Sequence, residues 1–316
     1  MAVRLRPLRG MTRPREVEPG KSYLTTRRCI LRSFLLTPCD EVNQLFLYAL
    51  GLYASQFGVV LHAVVVLGNH WHAVLTDVRG ELPSFFQRLH GTIARALNCF
   101  RRRRDVFWEA KLCGRVELLD EGSVLDKMVY VAANPVAAGL VERGEEWPGL
   151  RLLPDASGRV VIRVEKPKFF FQADDGLPAV VEVVIERPEI DADYDDAELA
   201  ARLEEEIEAR EEELRAQADE QGRSFLGAVR VMEQDPSATP ATAEPLGAPV
   251  PRFASQDREL RKRAQEEYRA WLVAYREALE RWRHRERDVE FPPGTWWMRV
   301  FHRVECAEAE PVLAPP

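Results

Sequence analysis

The sequence predicts an α+β fold: a ferredoxin-like β-α-β-β-α-β sheet, an added helix, and a mixed, largely helical C-terminal region. Two short, β-branched runs at 58–67 and 70–77 are separated by a Gly-Asn pair, which indicates two strands joined by a tight turn. On either side, residues 40–56 and 81–100 carry apolar side chains at helical spacing. The alternation of these segments gives the ferredoxin-like order.

The remaining elements of the front half follow from residue types and from helix boundary signals. Residues 22–35 are rich in strand formers and predict the first strand. A fourth strand is predicted at about 107–119. The added helix at 123–133 is expected to take Ser123 as its N-cap and to end before Pro135, because proline disfavours helical backbone in the residue that precedes it.

The strand at 70–77 begins with the triplet His70-Trp71-His72. Side chains on a strand alternate with period two, so both imidazoles should point to one face, about 7 Å apart, and Trp71 to the other. Two histidines placed in this way make half of a metal site. A His-x-His pair on a strand is also commonly structural, so a second chemical group is needed to indicate a function.

Tyr130 and Asn134 supply that group on the added helix. They lie four residues apart, so they are expected to share a helical face. A hydroxyl nucleophile and an amide oxygen would then be offered together. The segment that contains them reads Tyr130-Val-Ala-Ala-Asn134-Pro135-Val-Ala-Ala-Gly139-Leu-Val141.

These two motifs, in this order, resemble those of the single-tyrosine HUH transposases, in particular the REP-associated tyrosine transposases and related insertion-sequence transposases. The resemblance covers about residues 20–150 and rests on His-hydrophobic-His followed by Tyr-x-x-x-Asn-Pro-Val-x-Ala-Gly-Leu-Val. Gly68 stands where the family often has proline, which concerns only the turn. Ala137 stands where the family usually has arginine, which removes a DNA-backbone contact and leaves the affinity for the substrate open.

The resemblance implies a metal-dependent transposase that cleaves and rejoins single-stranded or hairpin DNA through a covalent 5′-phosphotyrosine. It implies Tyr130 as the nucleophile, and His70, His72 and Asn134 as ligands of a divalent metal, Mg²⁺ or Mn²⁺. Ligand chemistry alone favours Mn²⁺ or Zn²⁺ for two imidazoles. The resemblance also allows a homodimer, and it implies a cytoplasmic, nucleoid-associated protein.

A set of arginines on the exposed face of the helix at 81–100 and directly after it forms a candidate DNA-binding surface. Its members are Arg88, Arg95, Arg101, Arg102, Arg103 and Arg104. Cations at a helix C-terminus are favoured by the helix dipole and are commonly just solvated. Fixed positive charges also suit a phosphate backbone, so both interpretations stay open. Phe107 and Trp108 are expected to be core or strand residues rather than base-stacking platforms. His62 is expected to be packed or hydrogen bonded, and His90 to have no metal role.

Charge is distributed unevenly along the chain, whose formal net charge is −7. Residues 1–150 carry 20 Lys and Arg against 15 Asp and Glu, whereas residues 151–316 carry 24 against 36. The basic front half suits a nucleic-acid partner. The five cysteines form no C-x-x-C pair, which indicates free thiols in a reducing cytoplasm. No apolar run approaches the ~18 residues of a membrane span, so no membrane partner is expected.

Composition divides the chain into five predicted segments. They are a basic flexible arm at 1–20, the transposase-like domain at 21–150, an acidic accessory region at 151–234, a Pro-rich linker at 235–252, and a C-terminal helix and tail at 253–316. The accessory region contains strand patterns at 159–164 and 179–185. No motif that carries chemistry is found after residue 150.

Three functions are compatible with these observations. The favoured one is an active single-tyrosine transposase. The second is a DNA hairpin- or repeat-binding protein that descends from such an enzyme and does not cut, and the third is an unrelated metal-dependent hydrolase. A binding protein has no need for His70, His72, Tyr130 and Asn134 together, and the basic front half argues against the third function.

Overall fold

The computed structural model describes residues 14–110, 113–172, 174–189, 195–242, 251–286 and 288–308 of the chain. The described residues form two compact units, one within residues 19–261 and one made of residues 14–18 together with those described within 262–308. The first unit contains every residue of the predicted site.

The first unit is built on six elements that alternate as the sequence predicts. They are β1 (Lys21–Arg28), α1 (Asp40–Phe57), β2 (Val59–Val66), β3 (His70–Asp77), α2 (Leu82–Phe100) and β4 (Gly114–Leu118). The four strands lie in the order β2-β3-β1-β4, and all three pairings are antiparallel. This order confirms the predicted ferredoxin-like α+β fold.

Later segments widen this sheet at both edges. They are β5 (Arg151–Leu152), β6 (Arg159–Glu165), β7 (Val180–Glu186) and β8 (Phe253–Ala254). Strands β6 and β7 form an antiparallel pair, and β7 lies parallel beside β2, which also pairs with β5. At the other edge, β8 lies parallel to β4. The strands predicted near 159–164 and 179–185 therefore belong to the same sheet as the histidine strand, while the boundaries of the five segments stay predictions.

Helices cover both faces of the sheet. Helices α1 and α2 pack on one face, in a core that includes Trp71, Ala73 and Leu75 of β3. On the other face, Val74 of β3 belongs to a core with residues of α3 (Glu121–Ala132) and α5 (Asp196–Glu220). Between these two helices, a single-turn helix α4 (Asn134–Ala137) follows α3 almost directly. Residues 70 and 72 of β3 thus face the α3 layer.

The prediction that Ser123 is the N-cap of the added helix, which is α3, is wrong. The helix begins three residues earlier than this prediction requires. Asp120 is the N-cap, and its carboxylate accepts a hydrogen bond of 2.6 Å from the backbone N–H of Ser123. The Ser123 hydroxyl donates back to the Asp120 carbonyl. Asp and Ser compete as caps with nearly equal preference, and here the aspartate takes the cap.

Helix α4 explains much of the Asn-Pro-Val-x-Ala-Gly motif. Pro135 lies in its first turn, where a missing N–H costs nothing. Gly139 follows the helix with a φ of 68°, which favours glycine. The N–H groups of Gly139 and Leu140 donate to the carbonyls of Val136 and Pro135, the pattern of a Schellman motif. Proline and glycine therefore set the two ends of α4.

Two strands are shorter than predicted. Strand β1 ends at Arg28, because Leu31 and Arg32 adopt left-handed φ values of 52° and 59° that break the extended backbone. Strand β4 begins only at Gly114. Phe107 and Trp108 are buried in the core, as predicted. His62 is buried and hydrogen bonded through both ring nitrogens, as predicted, and His90 is also buried.

After a short helix α6 (Ala228–Met232), the long helix α7 (Arg258–Arg283) leads into the second unit, which also contains α8 (Trp296–His302). Trp271 and Tyr275 of α7 belong to the core of this unit together with Phe291.

All five cysteines are free thiols. None of the described helices combines the length and apolar character that a membrane span needs. Residues 1–13 of the predicted arm and 243–250 of the predicted linker lie outside the described residues.

Candidate active site

The two histidines of β3 lie side by side on the α3 face of the sheet. Their ring centroids are 4.9 Å apart and the rings are nearly perpendicular, at 87°. His72 is 5% exposed and His70 is half-buried. Trp71 points to the opposite face, where it packs edge-on against Phe46. The period-two alternation therefore brings both imidazoles together, as predicted.

Tyr130 of α3 stands next to this pair. Its ring centroid lies 5.5 Å from that of His72, and the rings meet at 83°. The side chain is 42% exposed, although it lies on a helix that packs against the sheet. Lys127, one turn earlier, places its ammonium nitrogen 6.0 Å from the Tyr130 ring centroid. The phenol is therefore within reach of solvent, of the histidines and of a cation.

Asn134 occupies a different setting from the one expected. Helix α3 ends at Ala132, and Asn134 opens α4, so that the two predicted site residues lie on consecutive helices. Asn134 is 7% exposed, whereas Tyr130 is open to solvent. The i, i+4 spacing on one continuous helix is thus not realised, because Ala133 ends α3 before Asn134. Its role as a metal ligand stays a prediction.

Both imidazoles are hydrogen bonded through Nδ1. His70 Nδ1 lies 2.6 Å from Asn69 Oδ1, and His72 Nδ1 lies 2.7 Å from Thr26 Oγ1. Among the described residues, neither Nε2 atom has a hydrogen-bond partner. Such contacts to one ring nitrogen are common for histidines that bind a metal through the other.

Burial holds both histidines neutral. It lowers the pKa of His70 to about 3, and the positive charges of Arg28 and Arg32 act in the same direction. Burial also lowers the pKa of His72 well below its ordinary value, assisted by His70 and Arg28. A neutral imidazole has one ring nitrogen with an available lone pair, and this neutral form is the one that binds a metal.

The donor set fits a divalent cation. Two neutral imidazoles on one face can supply two nitrogens. Asn134, the predicted oxygen ligand, is buried at the start of α4. No group of three or more His, Cys, Asp or Glu side chains in the described part of the chain could hold a metal. A site of two histidines would leave positions for water and substrate oxygens, as catalytic metal sites do.

The six predicted arginines differ in their surroundings. Arg88 and Arg95 are exposed on α2, which packs on the sheet face opposite to the histidines. Arg101 donates from Nε to the carbonyl of Leu35 at 2.8 Å and so supports a loop. Arg102 and Arg104 are exposed, and Arg103 is half-buried. DNA binding by these six residues stays a prediction.

Sequence analysis missed three residues beside the histidines. In the β1–β3 register, Thr26 lies opposite His72 and Arg28 opposite His70, so their side chains share the histidine face. Asn69 was considered only as part of a turn. The alternation of Thr26 and Arg28 on β1 could have indicated a common face, but which strand pairs with β3, and in which register, is decided by tertiary structure.

Comparison with known proteins gives partial structural matches. No protein-family model matches the chain, and no curated protein matches it. One similar structure is a REP-associated tyrosine transposase bound to a REP hairpin, with 19% identity over 44% of this chain and 81% of that one, and a TM-score of 0.38. Another is a Deinococcus radiodurans R1 protein provisionally assigned as a transposase, with 21% identity over 34% of this chain and 85% of that one, and a TM-score of 0.27. Both matches cover less than half of this chain.

Proposed function

We propose that the chain is a metal-dependent transposase that cleaves and rejoins single-stranded DNA, with Tyr130 as the nucleophile. The observation that carries the proposal is the position of the exposed Tyr130 ring, 5.5 Å from His72, which itself lies 4.9 Å from His70. The Tyr-x-x-x-Asn-Pro motif and the His-x-His motif lie far apart in sequence, and the fold brings their tyrosine and histidines together.

The reaction is a transesterification. The Tyr130 oxygen forms a bond to a backbone phosphorus, and the bond from that phosphorus to the 3′ oxygen breaks. The phenolic proton passes to solvent and the 3′ oxygen takes up a proton, which leaves a 5′-phosphotyrosine and a free 3′-hydroxyl. One phosphodiester is exchanged for another, so the reverse reaction rejoins DNA without an energy source.

His70 and His72 would hold the divalent metal, with Asn134 as an additional ligand, and the resemblance favours Mg²⁺ or Mn²⁺. When bound, such an ion polarises the phosphate and neutralises charge that develops on its oxygens. The burial that keeps both imidazoles neutral supports this role, because a protonated imidazole cannot donate its lone pair.

Single-stranded or hairpin DNA is the proposed substrate. Arg28 and Arg32 are close enough to His70 to lower its pKa, and Lys127 lies beside Tyr130. These cations would meet phosphates around the reacting group, and their contribution should weaken as salt is added. Tyr130 lies beside the histidines of its own chain, so a homodimer is not needed to complete the site.

A covalent adduct tests the proposal. The full chain is incubated with Mn²⁺ and a DNA hairpin that carries a single-stranded extension, labelled at its 3′ end, and the products are separated under denaturing conditions. We expect labelled DNA to migrate with the protein, and Tyr130→Phe to abolish this band while it leaves binding in a gel-shift assay. Tyr53→Phe is the matched control, because the Tyr53 hydroxyl bonds to Thr92 on the opposite side of the sheet.

Two outcomes would redirect the assignment. If Tyr130→Phe still forms the adduct, another residue is the nucleophile. If the unmodified chain binds hairpin DNA and forms no adduct with Mg²⁺ or Mn²⁺, the alternative of a non-cutting DNA hairpin- or repeat-binding protein replaces the transposase.

A further inference from the structure

Asn69 is held in the turn between β2 and β3 by three hydrogen bonds. Its side-chain Nδ2 donates to the carbonyl of Arg32 at 3.0 Å, and its Oδ1 lies 2.6 Å from His70 Nδ1. Its backbone carbonyl accepts a hydrogen bond of 2.8 Å from the N–H of Cys29. The amide group is therefore fixed on both of its ends, between a backbone carbonyl and an imidazole.

The chemistry of these contacts determines where the His70 hydrogen lies. A backbone carbonyl oxygen can only accept, so the amide NH₂ must face Arg32 and the amide oxygen must face His70. An amide oxygen also can only accept, so His70 Nδ1 must donate. A neutral imidazole carries a single N–H, and its lone pair is then left on Nε2.

We propose that Asn69 is a positioning residue that selects the Nδ1–H tautomer of His70 and thereby presets Nε2 as the metal-binding atom. The hydrogen on Nδ1 follows from the hydrogen bonds alone, and the use of Nε2 as a ligand rests on the proposed function. When the ring nitrogen that does not bind the metal donates its N–H to a protein acceptor, this hydrogen bond orients the ring and increases the basicity of the ligand atom.

His72 provides the internal comparison. Its Nδ1 meets the hydroxyl of Thr26 at 2.7 Å, and a hydroxyl can donate or accept. Thr26 therefore permits both tautomers of His72, whereas Asn69 permits one tautomer of His70. The two adjacent imidazoles should differ in this respect even though they lie on the same face.

Nitrogen-15 NMR reads the tautomer directly in the full chain without metal or DNA. Long-range ¹H–¹⁵N correlations of ¹⁵N-histidine protein at pH 7 should show a protonated Nδ1 and an unprotonated Nε2 for His70, assigned with the His70→Gln variant. In Asn69→Asp a carboxylate oxygen still accepts from Nδ1, so the tautomer should persist. In Asn69→Ala both tautomers should be populated, while Thr26→Val should change only His72.

Mn²⁺ titration of the same variants, followed by electron paramagnetic resonance, measures the consequence. We expect Asn69→Ala to weaken Mn²⁺ binding about 10- to 100-fold, as for other residues that bond to a metal ligand, and Asn69→Asp to weaken it much less. The proposal is overturned if His70 carries its hydrogen on Nε2 in the unmodified chain, or if Asn69→Ala leaves the tautomer unchanged. If the unmodified chain does not bind Mn²⁺, the proposed function is contradicted. The NMR measurement of the His70 tautomer still tests the role of Asn69 in that case, because it is made without metal.

Discussion

The two faces of β3 bury different chemistry. On one face, Trp71 is fully buried against the edges of Phe46 and Phe86 in the α1–α2 layer. On the other face, His72 is almost as deeply buried, but its Nδ1 is bonded to Thr26 and its ring contacts the exposed Tyr130. One strand thus contributes to stability with one face and to the proposed chemistry with the other. Substitutions on the two faces should consequently fail in different ways.

The largest expected effect is on the histidine face. Replacing both His70 and His72 with alanine removes the two nitrogens of the proposed site, so cleavage and Mn²⁺ affinity should both be lost, and excess Mn²⁺ should not restore cleavage. Tyr130→Phe should lose cleavage and keep Mn²⁺ affinity. A parallel Mn²⁺ titration and adduct assay distinguishes the variants. Unchanged Mn²⁺ affinity in the double histidine variant would show that the metal binds elsewhere.

On the opposite face, Trp71→Ala should lower the free energy of unfolding by about 3–5 kcal/mol, because it leaves a large cavity in a packed core. Denaturant unfolding measures this loss. Under conditions where the variant is still folded, it should bind Mn²⁺, since both histidines remain. Trp297→Ala is a control on an exposed tryptophan and should change stability by less than about 0.5 kcal/mol. A similar loss in both variants would contradict the importance of the Trp71 core.

Only part of the histidine face follows from local sequence patterns, so only that part could be predicted from the sequence. Period-two alternation is a property of any strand, so the common face of His70 and His72 follows from their spacing. The hairpin and the order of helices and strands follow in the same way from turn residues and apolar periodicity. These local rules were sufficient for the ferredoxin-like fold.

The partners of the histidines required information that no local pattern contains. Thr26 comes from β1, 46 residues before His72, and it reaches Nδ1 only because of the β1–β3 register. Asn69 has its role because the turn at Arg32 places a carbonyl against its amide. The break at Ala133 separates Tyr130 from Asn134, although their spacing matches one helix. The contacts of Thr26 and Asn69 depend on packing between segments distant in sequence, whereas the end of α3 before Pro135 is expected from the sequence itself.

A smaller effect should link the acidic helix α5 to the tyrosine-bearing helix. Arg151 Nε donates to the carbonyl of Ala132, the last residue of α3, and its guanidinium lies 3.6 Å from the Glu211 carboxylate of α5. Glu211 is 3% exposed. Arg151→Ala should therefore cost about 1–3 kcal/mol, because a buried carboxylate and a carbonyl lose a partner.

Arg163→Ala is the matched control for this change. Arg163 lies on β6 and its ion pair with Glu182 is exposed, so its removal should cost less than about 1 kcal/mol. Denaturant unfolding of both variants gives the comparison. Equal losses in the free energy of unfolding would mean that the contact of Arg151 with α3 contributes no more than an exposed ion pair. A reduced cleavage rate in Arg151→Ala alone would extend the link to the site, since α3 carries Tyr130.

The smallest effect concerns a polar group on the apolar face. His90 lies in α2, stacked on Phe86 and in contact with Trp108. Burial lowers its pKa from 6.5 to about 3, and the charge of Arg27 acts in the same direction. A lowered pKa means that the folded chain keeps His90 neutral while the unfolded chain binds a proton below pH 6.5. The stability that exists above this pH is then lost as pH falls, by up to about 1.4 kcal/mol per pH unit for this group.

His90→Phe removes this proton and keeps an aromatic ring in the stack. The hydrogen bond from the Trp108 indole to residue 90 uses the backbone carbonyl, so it should persist. Packing a larger ring can shift the absolute stability, and the pH dependence is therefore the quantity to compare. Between pH 7 and pH 5, the variant should lose about 1–2 kcal/mol less than the unmodified chain in denaturant unfolding. His62, His70 and His72 titrate equally in both proteins and cancel in the difference. Parallel curves for the two proteins would show that His90 is protonated or solvated in the fold, contrary to its position between Phe86 and Trp108.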